Sequence, residues 1–302
     1  MPRAHLPNAI ELEYETFGSA DDPTLLLVMG FTAQLTLWDV GFCEMLAARG
    51  LHVVRFDNRD CGLSTRFDGV AVDVAAVMGA AMSGGDVPEV PYTLSDMAAD
   101  AVGLLDHLGV ERAHVLGASM GGMIVQTLAI EHPARLLSMI SVMSTTGDLS
   151  VGRPTPEAIE GLLAPPPTDR EAFIEASSRS LIWASKRYAD INRMRANAAR
   201  DFDRGFYPEG SSRQLAAIYA SGNRSDALRQ VSVPTLVVHG RDDTLIDPSG
   251  GEHTASLVPA AHLLLLADMG HDLPEPLWPT LVGAIAGHVT TNDHIAAAAA
   301  GS

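Results

Sequence analysis

Hydrophobic and polar positions along the chain form two alternating kinds of segment. Short apolar runs such as TLLLVMG (24–30) and LHVVRFD (51–57) are typical of strands that are buried on both faces. Longer segments with apolar residues at helical spacing follow them, and TLSDMAADAVGLLDHLG (93–109) opens with Thr93 and Asp96 at capping-box spacing. This alternation predicts repeated βαβ units, and therefore an α/β protein with a mostly parallel central sheet flanked by helices.

One long segment, 148–229, departs from this alternation because it contains helical stretches and no convincing strand. We interpret it as a helical cap inserted between two strands of a core formed by residues 1–147 and 230–290. The last residues, 291–302, are rich in alanine and low in complexity, so the sequence predicts a disordered tail there.

Charge divides the chain in the same way. The net charge of the 302 residues is −17, but residues 148–229 hold eleven Arg and Lys186 against eleven acids, a net of +1. The remainder holds eight Arg against twenty-six acids, a net of −18. Such a surface repels nucleic acid and anionic membranes, so neither is an expected partner.

The chain lacks an apolar run of about 18 residues, a secretory leader pattern and the Cys content of a disulfide framework or zinc site. We therefore expect a cytoplasmic protein, a monomer or homodimer. The phosphate-binding glycine motifs and metal-binding His or Cys motifs are also missing, so no cofactor and no metal are expected.

The strongest chemical signal is G-A-S-M-G (117–121), which stands between the predicted strand HVLG and the predicted helix MIVQTLAI. A sharp strand-to-helix turn lifts its central residue above the sheet, and glycines on both sides let neighbouring backbones approach. The following helix directs its N-terminal N–H groups at the same point, where they favour a developing oxyanion. The pattern therefore predicts Ser119 as a nucleophile.

A serine nucleophile needs a base, and the base needs a carboxylate that orients it. With this turn, the chain order is Ser, acid, His. His271 follows the predicted strand AHLLLLAD and is the predicted base. His239 ends another predicted strand, which would place it near the site, but it precedes Asp242, Asp243 and Asp247 and receives no role. Spacing alone does not choose the acid among four candidates: Asp148, Asp242, Asp243 and Asp247.

These motifs resemble the α/β-hydrolase superfamily. G-R-D-D (240–243) is similar to its G-x-x-D acid motif, and L-L-V-M-G-F (26–31) is similar to its oxyanion loop. D-N-R-D-C-G-L-S (57–64) is similar to its D-x-R-G-x-G-x-S turn, and D-M-G-H (268–271) to its histidine loop. Within the superfamily the combination looks closest to the aclacinomycin methylesterase type. The resemblance covers the core, roughly residues 8–147 and 230–288.

The resemblance implies the α/β-hydrolase fold, with the helical cap inserted before the strand that carries the acid, and it selects Asp243 as that acid. It also implies an oxyanion hole formed by the backbone N–H groups of Phe31 and Met120. Met29 stands where the family usually has His, but the donors are backbone groups, so the hole does not require that side chain. The implied activity is hydrolysis of a small-molecule carboxylic ester through an acyl-enzyme. The ester could be a lactone or a methyl ester of a bulky apolar substrate.

Several alternatives stay open at this stage. The same triad serves a cofactor-free perhydrolase or haloperoxidase, a carbon–carbon bond hydrolase, a lactonase or a thioesterase, while a non-enzymatic binding scaffold would be expected to have lost a triad member. Four apolar residues of the cap predict a substrate pocket, or alternatively hold the cap helices to the core: Leu181, Trp183, Met194 and Phe206.

Overall fold

The buried apolar runs form the strands of a single sheet. The computed structural model describes residues 2–300. Its strands, β1 to β8, are Arg3–His5, Glu11–Phe17, Thr24–Val28, His52–Phe56, Ala113–Ala118, Leu136–Val142, Thr235–Gly240 and His262–Leu266. Their order in the sheet is β1-β2-β4-β3-β5-β6-β7-β8. β1 and β2 pair antiparallel and β2 pairs antiparallel with β4, whereas all later neighbours are parallel.

Helices connect the strands and cover both faces of the sheet. In the part of the chain that the structure describes, α1 to α11 are Val40–Ala47, Val74–Ser83, Leu94–His107, Met120–Glu131, Pro156–Leu163, Arg170–Ala176, Ile191–Gly205, Gly210–Ala220, Ser225–Leu228, Ser249–Leu257 and Trp278–Ala300. The capping box predicted at Thr93 and Asp96 is present at the start of α3. None of the helices within residues 2–300 has the length and apolarity needed to cross a membrane.

The alternation of side chains along β3 divides the core into two layers. Leu26 and Val28 pack in a cluster with residues of α3 and α4, whereas Leu25 and Leu27 pack in a second cluster with residues of α1 and α11. All four are fully buried, as the continuous apolar run predicts for a strand covered on both faces. The α/β architecture predicted from the sequence is therefore confirmed.

Five helices, α5 to α9, and a 3-10 helix over Ser177–Ile182 lie between β6 and β7, and this inserted segment contains no strand in the described structure. We call residues 148–229 the cap. The exact division between core and cap, at 147/148 and 229/230, stays a prediction.

The C-terminal segment differs from the expected disordered tail. α11 continues through Ala300, so residues 291–300 are helical, while residues 301–302 lie outside the described residues. Alanine has the highest helix propensity of all residues, and Asn292 Nδ2 donates to the carbonyl oxygen of His288 one turn earlier. The low-complexity composition therefore extends an existing helix.

Arginines of the cap pair with carboxylates of the core. Arg204 on α7 contacts Asp57 and Arg213 on α8 contacts Asp60, each at 2.7 Å, and both carboxylates are buried. Arg213 donates to both oxygens of Asp60, a two-point geometry that fixes orientation as well as distance. These buried pairs hold the cap on the core.

We predict that Arg213→Leu destabilises the protein by about 3–5 kcal/mol, because the variant leaves the buried carboxylate of Asp60 without its opposite charge. Urea unfolding measures the loss, and the double variant Arg213→Leu/Asp60→Asn should recover part of it. Arg170→Leu, which removes a pair with Asp203 on the cap surface, is the control and should leave the midpoint unchanged. A loss under about 1 kcal/mol for Arg213→Leu would contradict a role in holding the cap.

Candidate active site

Ser119 occupies a strained turn between β5 and α4. Its backbone has φ 56° and ψ −119°, in the left-handed half of conformational space that non-glycine residues rarely adopt. Such a conformation persists only where the surroundings enforce it. A Cβ atom at Gly121 would collide with the carbonyl oxygen of Val28, and one at Gly117 with that of Gly121. The glycines therefore allow the close backbone contacts that hold the turn, as the G-x-S-x-G pattern predicts.

Two backbone donors face no acceptor next to this turn. Within residues 2–300, the N–H groups of Phe31 and Met120 make no hydrogen bond. Met120 is the first residue of α4, and Gly30 lies so close to Ser119 that a Cβ there would be 3.6 Å from the Ser119 Oγ. Both N–H groups are thus available to an anionic ligand beside the serine, where the helix N-terminus adds partial positive charge.

His271 pairs with Asp243. The imidazole Nδ1 lies 2.7 Å from Oδ2 of this carboxylate, whose other oxygen accepts from the backbone N–H groups of Leu245 and Ile246, both at 2.9 Å. The side chain of Asp243 is fully buried. Since an ionised carboxylate only accepts, Nδ1 carries the proton and Nε2 of the neutral ring keeps a lone pair.

Within residues 2–300, none of the other three candidate carboxylates makes a hydrogen bond or ion pair with His271. The backbone N–H of Asp242 donates to the carbonyl oxygen of Met269, Asp247 is exposed and accepts from the N–H of Ser249 at the start of α10, and Asp148 lies 3.8 Å from His253. Asp243 is therefore the carboxylate that the structure brings to His271. Because Ser119, Asp243 and His271 follow the parallel strands β5, β7 and β8, all three stand at the carboxyl edge of the sheet.

A second histidine, His239, also contacts the acid. Its Nε2 lies 2.8 Å from the carbonyl oxygen of Ile246 and 3.3 Å from Oδ2 of Asp243, and the side chain is fully buried at the end of β7. A carbonyl oxygen only accepts, so Nε2 carries the proton and points toward the acid. Sequence order alone assigns no role to His239, because it precedes the acid. Its spacing of four residues from Asp243 was the available signal.

Comparison with known proteins identifies the family of the chain. The profile of the alpha/beta hydrolase fold family matches residues 23–275. The chain belongs to this family. Rhodomycin D methylesterase DnrP of Streptomyces peucetius is 27% identical over 95% of this chain and 98% of its own. The resemblance to the methylesterase type and the prediction of a hydrolase are thereby confirmed.

Solved structures of this hydrolase fold are similar over almost the whole chain. The enol-lactonase from Burkholderia xenovorans LB400 has a TM-score of 0.70 and 20% identity, covering 96% of this chain and 100% of its own. A thermophilic esterase from Thermogutta terrifontis has a TM-score of 0.69 and 23% identity, covering 96% of this chain and 98% of its own. At these identities the likeness concerns the fold alone. The matched region includes the inserted cap segment.

The cap of this hydrolase closes directly over the histidine loop. The backbone N–H of His271 donates to the carbonyl oxygen of Trp183 at 2.6 Å, and Ser185 Oγ donates to that of Asp268. Asp272 accepts in turn from the N–H of Ser185. His271 is consequently held both through its ring, by the core, and through its backbone, by the cap.

Two of the predicted pocket residues make contacts within the cap itself. The ring of Phe206 packs on those of Phe173 and Phe202, with centroids 5.0 and 4.6 Å apart. The ring of Trp183 lies against α5, where a Cβ at Gly161 would be 3.1 Å from its Cζ3. These contacts lie within the cap, so they show packing among cap helices and do not decide between a substrate pocket and attachment of the cap to the core.

The other two predicted pocket residues also lie in the cap. Met194 is on α7, where its sulfur accepts from Ser180 Oγ at 3.3 Å, and Leu181 is 45% exposed. A role of the four residues in substrate binding stays a prediction.

The environment of Asp243 sets its ionisation. Burial by itself would raise the pKa of this carboxyl, but the charge of His271 and the hydrogen bonds from His239 and His271 outweigh burial and lower the pKa to about 2. A carboxyl with a lowered pKa stabilises the fold above its unfolded-state pKa of 3.8 and loses this contribution as the pH falls toward 2.

We therefore predict that the difference in unfolding free energy between the parent and Asp243→Asn decreases by about 1 kcal/mol from pH 5 to pH 3. Taking the difference cancels the pH-independent cost of the substitution, and this range lies below the one in which imidazoles ordinarily titrate. Urea unfolding of both proteins at matched pH measures it. A difference that does not change over this range would contradict the lowered pKa of Asp243.

Proposed function

We propose that this hydrolase is a serine esterase that cleaves a carboxylic ester of a small molecule through an acyl-enzyme. The observation that carries the proposal is the 2.7 Å hydrogen bond between His271 Nδ1 and Asp243 Oδ2, which keeps Nε2 as the basic atom of the ring. The strained turn at Ser119 and the two unengaged N–H groups beside it support the same assignment.

In the first half of the reaction, Ser119 Oγ attacks the carbonyl carbon of the ester and its proton passes to His271 Nε2. The π electrons move onto the carbonyl oxygen, whose negative charge is stabilised by the N–H groups of Phe31 and Met120. The tetrahedral intermediate then collapses, the bond to the alcohol oxygen breaks, and His271 returns its proton to that oxygen as the alcohol leaves.

In the second half, water attacks the acyl-enzyme and gives a proton to His271. The second tetrahedral intermediate collapses with cleavage of the bond to Ser119 Oγ, which regains the proton, and the carboxylic acid is released. Asp243 stays ionised throughout and stabilises the imidazolium form of His271. No step uses a redox reagent, so the sum of the two halves is hydrolysis of the ester.

The name of the Streptomyces peucetius relative, a methylesterase of rhodomycin D, supports a bulky methyl ester as the substrate class. A lactone is an ester closed into a ring, so the same steps would open one.

We predict that Ser119→Ala and Asp243→Asn each lower kcat for p-nitrophenyl esters by about 10⁴-fold or more, because members of a triad act as a unit. Fluorophosphonate labelling, followed by identification of the modified peptide, should mark Ser119 in the parent and nothing in Ser119→Ala.

The matched controls are Asp242→Asn and Asp247→Asn, neighbouring carboxylates that do not contact His271. Each should keep kcat within about tenfold of the parent. Full activity of Ser119→Ala, or a large loss confined to Asp242→Asn, would contradict the assignment of the triad.

The charge distribution of the cap and core predicts the charge of the substrate. Arg193, Arg195 and Arg200 on α7 could have offered positive charge to an anionic substrate, but each is paired with a carboxylate, at distances of 2.8, 2.8 and 3.2 Å. The residues outside the cap carry a net charge of −18, and their field extends about 8 Å at physiological salt. An anionic ester therefore meets repulsion at the site.

We predict that kcat/KM is higher for neutral bulky esters than for succinyl or phosphate-bearing esters of equal size, and that the preference is larger at low salt than at high salt. Initial rates for matched pairs of esters at two ionic strengths measure this. A preference for anionic esters that weakens as salt is added would contradict the prediction and assign the α7 arginines to substrate binding.

A further inference from the structure

The loop that follows β3 contains the proposed oxyanion donor Phe31 and a strained neighbour. Thr32 has φ 57°, a left-handed conformation that is unfavourable for a β-branched residue. Strain of this kind is retained only where other contacts fix the backbone. The contacts that fix the backbone of this loop therefore also set the direction of the Phe31 N–H.

The core and the cap hold the two sides of this loop. On the core side, Asn58 Nδ2 donates to the carbonyl oxygen of Met29 at 2.8 Å. On the cap side, the N–H of Thr32 donates to Oε1 of Gln214 at 2.8 Å, although the two residues are 182 positions apart in the chain. Phe31 lies between these two attachments.

Gln214 lies on α8 of the cap and is completely buried. Its Nε2 donates to the carbonyl oxygen of Arg59 at 2.9 Å. The N–H of Thr32 can only donate and the carbonyl of Arg59 can only accept, so the two partners fix the orientation of the amide. The side chain thus connects the oxyanion loop to the turn that contains Arg59.

We propose that Gln214 is a positioning residue for the oxyanion hole, which sets the direction of the Phe31 N–H from the cap. The peptide unit that contains the Thr32 N–H begins at the carbonyl carbon of Phe31, so fixing that unit restricts the rotation of Phe31. This inference rests on the proposed function, since it assigns to Phe31 the oxyanion contact described above. It makes the cap a contributor to the chemical step as well as a cover over the site.

The test compares Gln214→Met, which keeps the volume of the side chain and removes both hydrogen bonds, with a matched control. Ser221, which follows α8, also accepts a hydrogen bond from a core backbone N–H, that of Leu94 at 2.9 Å. Ser221→Ala therefore removes a cap-to-core bond of the same kind that does not reach the oxyanion loop. Gln214→Asn shortens the side chain by one carbon–carbon bond, which moves the amide away from its two partners. This variant tests the same contacts if Gln214→Met does not fold.

The readouts are kcat and KM for a p-nitrophenyl ester, and the ratio of the rates for that ester and its thionoester. In the thionoester a larger and weaker acceptor replaces the carbonyl oxygen, so the ratio reports how well the N–H groups fit an oxygen anion. Loss of a whole oxyanion donor costs about 10²–10³ in kcat, and a misdirected donor should cost less. We expect Gln214→Met to lower kcat by about 10–100-fold, with KM within about threefold, and to lower the ester-to-thionoester ratio.

Ser221→Ala should keep the parent ratio even if it lowers the midpoint of urea unfolding. If Gln214→Met and Gln214→Asn keep the parent ratio while the parent hydrolyses the ester and is labelled at Ser119, the positioning role is wrong and the proposed function stands. If the parent is not labelled at Ser119, the proposed function fails and the inference fails with it. A ratio lowered equally by Ser221→Ala would also overturn the inference, because any loosening of the cap would then have the same effect.

Discussion

The close backbone contact between the turn at Ser119 and the end of β3 is the constraint on which the site depends. Gly121 lies directly against the carbonyl group of Val28, and Gly30 lies against the side chain of Ser119. No residue with a Cβ fits at Gly121 without moving a strand backbone. The same contact places the loop that carries Phe31 beside Ser119 and the start of α4, so the proposed nucleophile and the two proposed anion donors depend on one packing feature.

The cap depends on a second kind of interaction, the pairing of its arginines with carboxylates of the core. The cap has a net charge of +1 and contains eleven arginines. Arg204 and Arg213 reach buried carboxylates of the core. Arg193 contacts Asp39 and Glu275, which also belong to the core. Buried pairs contribute little net stability, because desolvation offsets their attraction, but breaking one is costly. Their effect is to allow one orientation of the cap on the core.

The parts of the site that the sequence predicts are those encoded over a few consecutive residues. Five residues around Ser119 specify the turn, and the G-x-x-D spacing selects Asp243 once the resemblance to hydrolases is accepted. The contact of Gln214 with Thr32 joins residues far apart in the chain and depends on where the cap settles, which no local pattern specifies. His239 lies close to Asp243 in the sequence, yet its orientation follows from the carbonyl of Ile246 and only the fold reveals it.

The cap is attached to both loops that would act on the substrate carbonyl. Trp183 accepts from the backbone of His271, and Gln214 accepts from the backbone of Thr32. A rigid-body movement that lifted the cap would break both bonds and would also separate Arg213 from the buried carboxylate of Asp60, so such an open state is costly. The bonds to the cap thus restrain the backbones of Thr32 and His271, as the proposed oxyanion donor Phe31 and the proposed base His271 require for fixed positions relative to Ser119.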